Sequence, residues 1–308
     1  MFNFETASEE DAKRIFAEID ASKESIETGV QYLIEWLKQQ PHLPNVTDKE
    51  FLTIFLVGCK NSLEKAKTRL NKYYINKARM PELYMNRDPC CEEFKKCMET
   101  MYIISLPKLT PDCYRVVING FGVYNPDDGP TTTDILKLYS TLMDVNTKSD
   151  LVRGYISIYN CANVGIALHK FLLSLWASTA QLMQNSTPVR LHKVYILNLS
   201  PAIQFFVNVG LNLLSEKLST RIIIWKKDPQ NLVEIFPKEI LPIEYGGVEL
   251  SVDKLKDNTL ERFIFYRDWL KSIEVDKADL DKIPKYDSSK DSFCLNEVQG
   301  SFRQLSFD

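Results

Sequence analysis

A chain of 308 residues that is 44% hydrophobic and 26% charged can bury one large core or two modest ones. Its net charge of −3 excludes a general pull toward nucleic acid, so any basic surface has to be local. No apolar run reaches the roughly 18 residues expected of a membrane span.

The opening MFNFETASEEDAKRIF has no basic stretch leading into an apolar one, so no secretory leader is expected, and Phe2 rules out N-myristoylation. Helical periodicity runs through 8–20 and 22–39, with Ile26, Val30, Leu33, Ile34 and Leu37 along one face. PHLPN at 41–45 breaks the pattern. Thr47 and Glu50 have capping-box spacing for a helix through Val57. Residues 62–79 read as another amphipathic helix, with Leu63, Ala66, Leu70, Tyr73 and Tyr74 inward. PELYMNRDPCCEE at 81–93 reads as a connector. Beyond it, strands at 102–106, 114–121, 154–160, 193–199 and 221–225 alternate with helices at 132–145, 164–184 and 201–218. That alternation predicts an α/β domain with a largely parallel sheet. The near-continuous apolar runs at 154–160 and 193–199 predict a sheet covered on both faces. One more helix is expected over 251–273, then a loosely held polar tail from 275.

The stretch SPAIQFFVNVGLNLLSEKLS at 200–219 stands apart. Ser200 can cap a helix and Pro201 suits its first turn. Ile203, Phe205, Phe206, Val207, Val209, Leu211, Leu213 and Leu214 leave only Gln204, Asn208 and Asn212 as a polar stripe. As a helix, residues 201–214 are about 21 Å long, too short to cross a bilayer.

Known catalytic signatures are missing: no phosphate-binding GxxxxGK[ST], no GxGxxG after a strand, no GxSxG. NGFGVYNPDDGP at 119–130 reads as a turn, with Asp127 and Asp128 solvated. The histidines are three, and His169 reads as a packed or surface residue on a helix. Cys90, Cys91 and Cys97 lack the paired spacing of a zinc site, and the odd, scattered set of seven cysteines fits a reducing compartment. The expectation is a protein that is not an enzyme and uses no metal or cofactor.

FLVGCKNSLEKAKTRLNKYY (55–74), PELYMNRDP (81–89), GYISIYN (154–160), the block at 188–222 and LPIEYGG (241–247) together resemble the CRAL-TRIO (Sec14-like) lipid-binding family over about residues 10–275. The GCK…RDP phrasing is similar to its insect branch. The resemblance implies an N-terminal helical bundle (1–90), a lipid-binding domain (91–250) whose largely parallel sheet and flanking helices enclose a cavity, and a C-terminal helix with a polar tail (251–308). It makes 201–218 the helix that gates the cavity. Exposing eight large apolar side chains to bare water costs on the order of 10 kcal/mol, whereas acyl chains accept them, so opening is expected only against a membrane.

The cavity walls are then expected at Leu138, Tyr139, Leu142, Ile156, Ile158, Phe171, Leu175, Leu182, Val189, Val194, Ile196, Phe205, Phe206, Val209 and Leu213. Tyr139, Tyr159, Ser178, Thr179 and Thr187 are polar anchors for one end of a ligand. By resemblance to the family's tocopherol-transfer branch, Arg190, His192, Lys217 and Arg221 bind phosphoinositide head groups, with Lys193 beside them. The family's FLRxR arginines are Val57 and Cys59 here, which implies a weaker basic patch, and the strand end has Asn160 and Asn163 where the family has Asp and Gly. The resemblance implies a cytoplasmic, monomeric carrier of a tocopherol, retinoid, carotenoid or similar lipid, with transient peripheral contact with membranes. The alternatives are a phosphatidylinositol or other phospholipid transfer protein, and an adaptor whose pocket is vestigial.

Overall fold

Short polar side chains start the N-terminal helices. In a computed structural model describing residues 2–122, 129–163, 186–201, 204, 207–208, 211 and 219–284, Ser8 and Ser22 close capping boxes for α1 (Glu9–Ala17) and α2 (Lys23–Lys38). Ser62 caps α4 (Leu63–Arg79). The α3 helix (Lys49–Gly58) starts one residue later than Thr47 and Glu50 predict: Asp48 accepts from the Phe51 amide at 3.1 Å. Lys148 holds the same carboxylate at 2.9 Å and also reaches Glu50 at 2.6 Å, so neither acid is left for a box with Thr47. The apolar faces predicted for α2 and α4 are buried except for Leu63, which is half-buried.

The connector holds a single turn, α5 (Pro81–Tyr84), and α6 (Glu92–Thr100) follows it, turning Phe94, Cys97 and Met98 inward. Then come β1 (Met101–Leu109), β2 (Tyr114–Phe121), α7 (Thr132–Ser149), β3 (Gly154–Asn160), β4 (Leu191–Leu197) and β5 (Ile222–Ile224). The β4 strand lies two residues earlier than expected: Leu191 already pairs with Tyr155, and Asn198, at φ +55°, ends it. The predicted helix at 251–273 is two helices, α8 (Val252–Phe265) and α9 (Arg267–Ser272), separated at Tyr266. No described helix is long and apolar enough to cross a membrane.

The strands are ordered β1-β2-β3-β4-β5, with β1 antiparallel to β2 and the rest parallel. One face, bearing Ile104, Ile118, Ile158 and Tyr195, packs on Leu232, Phe236, Leu241, Tyr245 and Leu255. The other packs on α7, which is buried nearly all round because the N-terminal helices cover its far side. Its polar side chains are met locally: Ser140 donates to the Leu83 carbonyl at 2.7 Å, and Asp144 accepts from Arg87 and Tyr73, both at 2.7 Å.

The start of the expected loose tail is docked. Backbone amides of Ala278 and Asp279 donate to the carbonyls of Tyr74 (3.0 Å) and His42 (2.9 Å), and Ala278 is buried in the core. Residues 285–308 lie outside the described residues, as do 123–128 and the predicted helix at 164–184.

Candidate functional site

On the face of the sheet toward α7, two rows of side chains run across the strands. One is Val117, Ser157, Val194 and Ile222; the next is Asn119, Tyr159, Ile196 and Ile224. Leu138, Tyr139 and Leu142 of α7 belong to the same cluster as Val194 and Ile196, and Val189 packs against its edge. The two faces are filled differently. Ile118 and Ile158 on the far face are fully buried, yet Ser157 and Tyr159, on the central strand, are only half-buried on the α7 face. A close-packed core leaves no surface in the middle of a sheet, so this floor borders open space. Of the stretch at 200–219, Val207 is buried in this cluster, Leu211 packs against it, Asn208 is exposed and Gln204 half-exposed.

The floor carries a chain of uncharged polar groups. The Tyr139 hydroxyl donates to Asn119 Oδ1 at 3.1 Å and is hydrogen-bonded to the Tyr159 hydroxyl. Burial raises both tyrosine pKa values, well above the ordinary value for Tyr139. Asn119 Nδ2 donates to the carbonyls of Val117 and Ile158 at 3.4 Å.

At the strand starts, a cleft of about 320 Å³ is lined by Gly58, Cys59, Lys60, Lys65, Arg69, Tyr114, Arg153, Val189, Arg190, Leu191, His192 and Arg221. The acid bound beside it is Glu18, which accepts from Arg190 at 2.9 and 3.0 Å and sits 3.8 Å from Arg153. His192 stacks on the Tyr114 ring at 4.3 Å, and Arg153 lies over the same ring. Burial and the neighbouring Lys193, Arg153 and Arg221 lower the His192 pKa. Among the described residues, no group of three His, Cys, Asp or Glu side chains is placed to hold a metal.

A family model described as CRAL/TRIO domain matches residues 94–247, and one described as Pinta-like, UBA domain, matches 22–94. The chain belongs to the CRAL/TRIO family. The alpha-tocopherol transfer protein-like protein of Homo sapiens is 25% identical over 219 residues, 70% of this chain and 63% of that protein. Its Mus musculus counterpart is 25% identical over 226 residues, 72% of this chain and 65% of the relative. The chain thus spans just under two thirds of the length of the curated relatives it matches. The crystal structure of Sfh5 aligns with a TM-score of 0.49 at 10% identity, covering 79% of this chain and 98% of that one.

In this CRAL/TRIO chain the structure separates the expected wall residues. Leu138, Tyr139, Leu142, Val189, Val194 and Ile196 share one side of the sheet. Ile156 and Ile158 do not: they belong to the opposite cluster, because strand parity puts Tyr155, Ser157 and Tyr159 toward α7. Phe171, Leu175, Leu182, Phe205, Phe206, Val209, Leu213 and Lys217 lie outside the described residues, as do Ser178, Thr179 and Asn212. Arg190, His192 and Arg221 line one cleft.

The loss of the FLRxR arginines takes a specific form. Val57 and Cys59 are buried, and Gly58 lets the chain at Pro188 close in, since a Cβ there would lie 2.0 Å from the Pro188 carbonyl oxygen. Sequence reasoning missed Lys60, Lys65, Arg69 and Arg153, which bring positive charge to the same cleft. The signal was present in the basic run just after Gly58. Asn160 donates to the Tyr245 hydroxyl of LPIEYGG at 3.1 Å and accepts from Asn198 at 2.8 Å, so it ties strand ends together.

Proposed function

We propose that this chain binds one small hydrophobic molecule on the α7 face of its sheet and carries it between membranes, without covalent chemistry. The observation that carries the reading is the half-buried centre of that face, set against the fully buried far side. Tocopherols, retinoids, carotenoids and similar lipids match such a space: burying several hundred Å² of apolar surface at about 25 cal/mol per Å² is ample driving force. The helix beginning at Ser200 is the gate, and it opens when acyl chains receive its apolar side.

The basic cleft is the membrane contact. Six basic side chains, Lys60, Lys65, Arg69, Arg153, Arg190 and Arg221, line it. Guanidinium and ammonium groups suit the phosphates of a phosphoinositide head group. The domain limits we propose are 1–90 for the helical part, 91–250 for the carrier domain and 251–308 for the C-terminal helices and tail.

Transfer of a fluorescent tocopherol or retinoid between vesicles tests this reading. Phe206→Asp is expected to slow transfer at least severalfold while circular dichroism stays unchanged. Lys60→Glu with Lys65→Glu is expected to weaken binding to phosphoinositide vesicles and to lower its salt dependence. Unchanged transfer in the Phe206 variant removes the gate from the account.

A further inference from the structure

The basic cleft at the strand starts has an acid seated on it. Glu18, the residue that caps the C-terminal end of α1, meets the guanidinium of Arg190 fork to fork, accepting from Nη1 at 2.9 Å and from Nη2 at 3.0 Å. It comes from a helix that precedes residue 22, the first residue either family model matches. Neither partner is sealed from solvent: the Arg190 side chain is 20% exposed and that of Glu18 23%. The hydrogen bond from Arg190 holds the Glu18 carboxyl below its usual pKa, so it is charged at neutral pH. Its two oxygens fill the Arg190 fork and stop 3.8 Å from Arg153 Nε, a buried nitrogen with no hydrogen-bond partner. Arg69 and Arg221 each spend a nitrogen on a carbonyl, of Thr187 and Leu191, and Lys60 and Lys65 line the same cleft. A carboxylate in this place offers one charge and two oxygens. A phosphate monoester offers up to two charges and three terminal oxygens, enough for the Arg190 fork and for Arg153 Nε as well. The nine-residue α1 buries only Ile15 and Phe16 within its length, so moving the carboxylate aside disturbs little packing.

We propose, resting on the membrane-contact reading of this cleft, that Glu18 is an internal competitor for it. Its carboxylate occupies the place on Arg190 that a phosphate monoester of a lipid head group takes, and head-group binding displaces it and loosens the end of α1. The cleft is thus held shut to weak anions until a more highly charged group arrives.

The test measures binding of the full chain to phosphatidylcholine vesicles carrying phosphatidylinositol 4-phosphate, and to soluble glycerophosphoinositol 4-phosphate. Glu18→Gln is expected to tighten both about fivefold to tenfold. Asp20→Asn removes the same charge two residues away and is expected to change them by less than about twofold. In an Arg190→Gln background the gain from Glu18→Gln is expected to vanish, because the competitor then has nothing to hold. In the unaltered protein, saturating vesicles are expected to speed amide hydrogen exchange at residues 15–21 severalfold, a readout that needs no variant to fold. Equal binding by the unaltered protein and Glu18→Gln, a gain that persists without Arg190 or is matched by Asp20→Asn, or unchanged exchange at 15–21 overturns the proposal and leaves the membrane-contact reading standing. Tightening toward the soluble compound alone overturns the lipid source. Failure of both the unaltered protein and Glu18→Gln to bind either probe overturns the competitor and the membrane-contact reading together.

Discussion

Phe4 lies between two guanidiniums, with Arg115 at 4.0 Å and Arg262 at 3.6 Å from its ring. Both arginines are buried, and Arg262 Nε has no hydrogen-bond partner. Burial lowers the Arg262 pKa to about 10. The ring face offers these cations what water cannot reach to give. Phe4→Ala is expected to lower stability by about 2–4 kcal/mol in a denaturant titration, and Phe4→Trp by much less. Lys77 is another buried cation, donating to the Ile273 carbonyl at 2.6 Å. Burial lowers its pKa to about 8 from 10.5, against the pull of Asp144 and Asp276. Between those values the unfolded chain holds a proton that the folded chain has released, so stability rises with pH through that window. Lys77→Met is expected to abolish a rise on the order of 3 kcal/mol between pH 8 and 10.5, seen as the difference between the two proteins' unfolding curves.

Among the elements, LPIEYGG shows how much a short motif can dictate. Gly246 has φ +80°, and a Cβ on Gly247 would sit 1.9 Å from the Leu241 carbonyl oxygen. Tyr245 reaches Asn160 at the end of β3, and Glu244 accepts from the Val252 amide that opens α8. Gly247→Ala is expected to cost more than about 2 kcal/mol, measured by thermal unfolding. The described helices and strands were legible because period 3.6 and short apolar runs survive in the sequence. The α6 helix was not, since EEFKKCMET offers only three apolar positions in nine residues. The facing of β3 was not either. A strand buried on both sides loses the alternation that reveals its inward side, so Ile156 and Ile158 were assigned to the cavity walls while Ser157, which lies on the α7 face, passed unnoticed. The basic cleft was legible in part: Arg153, Arg190, His192 and Arg221 lie in or beside strands, whereas Lys60, Lys65 and Arg69 reach it from the helical part of the chain, distant in sequence.

For the whole molecule, the C-terminal segment bolts the helical part onto the sheet. Arg267 pairs with Asp88 at 2.6 and 2.7 Å, Lys271 joins at 3.1 Å, and the backbone at 278–279 adds to α4 and to the turn after α2. That bracing sets Lys60, Lys65 and Arg69 opposite Arg153, Arg190 and Arg221, forming one cleft from two parts of the chain. His192 adds a pH response. Its lowered pKa leaves it neutral at pH 7.5, and an anionic surface favours its protonation, so on the proposed membrane-contact role vesicle binding is expected to strengthen as pH falls. Affinity for phosphoinositide vesicles is expected to rise severalfold between pH 7.5 and 5.5, and His192→Gln to flatten that dependence.

The most direct test of a carrier is what it carries. Native mass spectrometry of protein purified without detergent, with organic extraction and identification of any bound molecule, is expected to show a one-to-one complex with one small hydrophobic molecule. A protein that is consistently empty, and that takes up neither tocopherol, retinoid nor phosphoinositide from vesicles, contradicts the account.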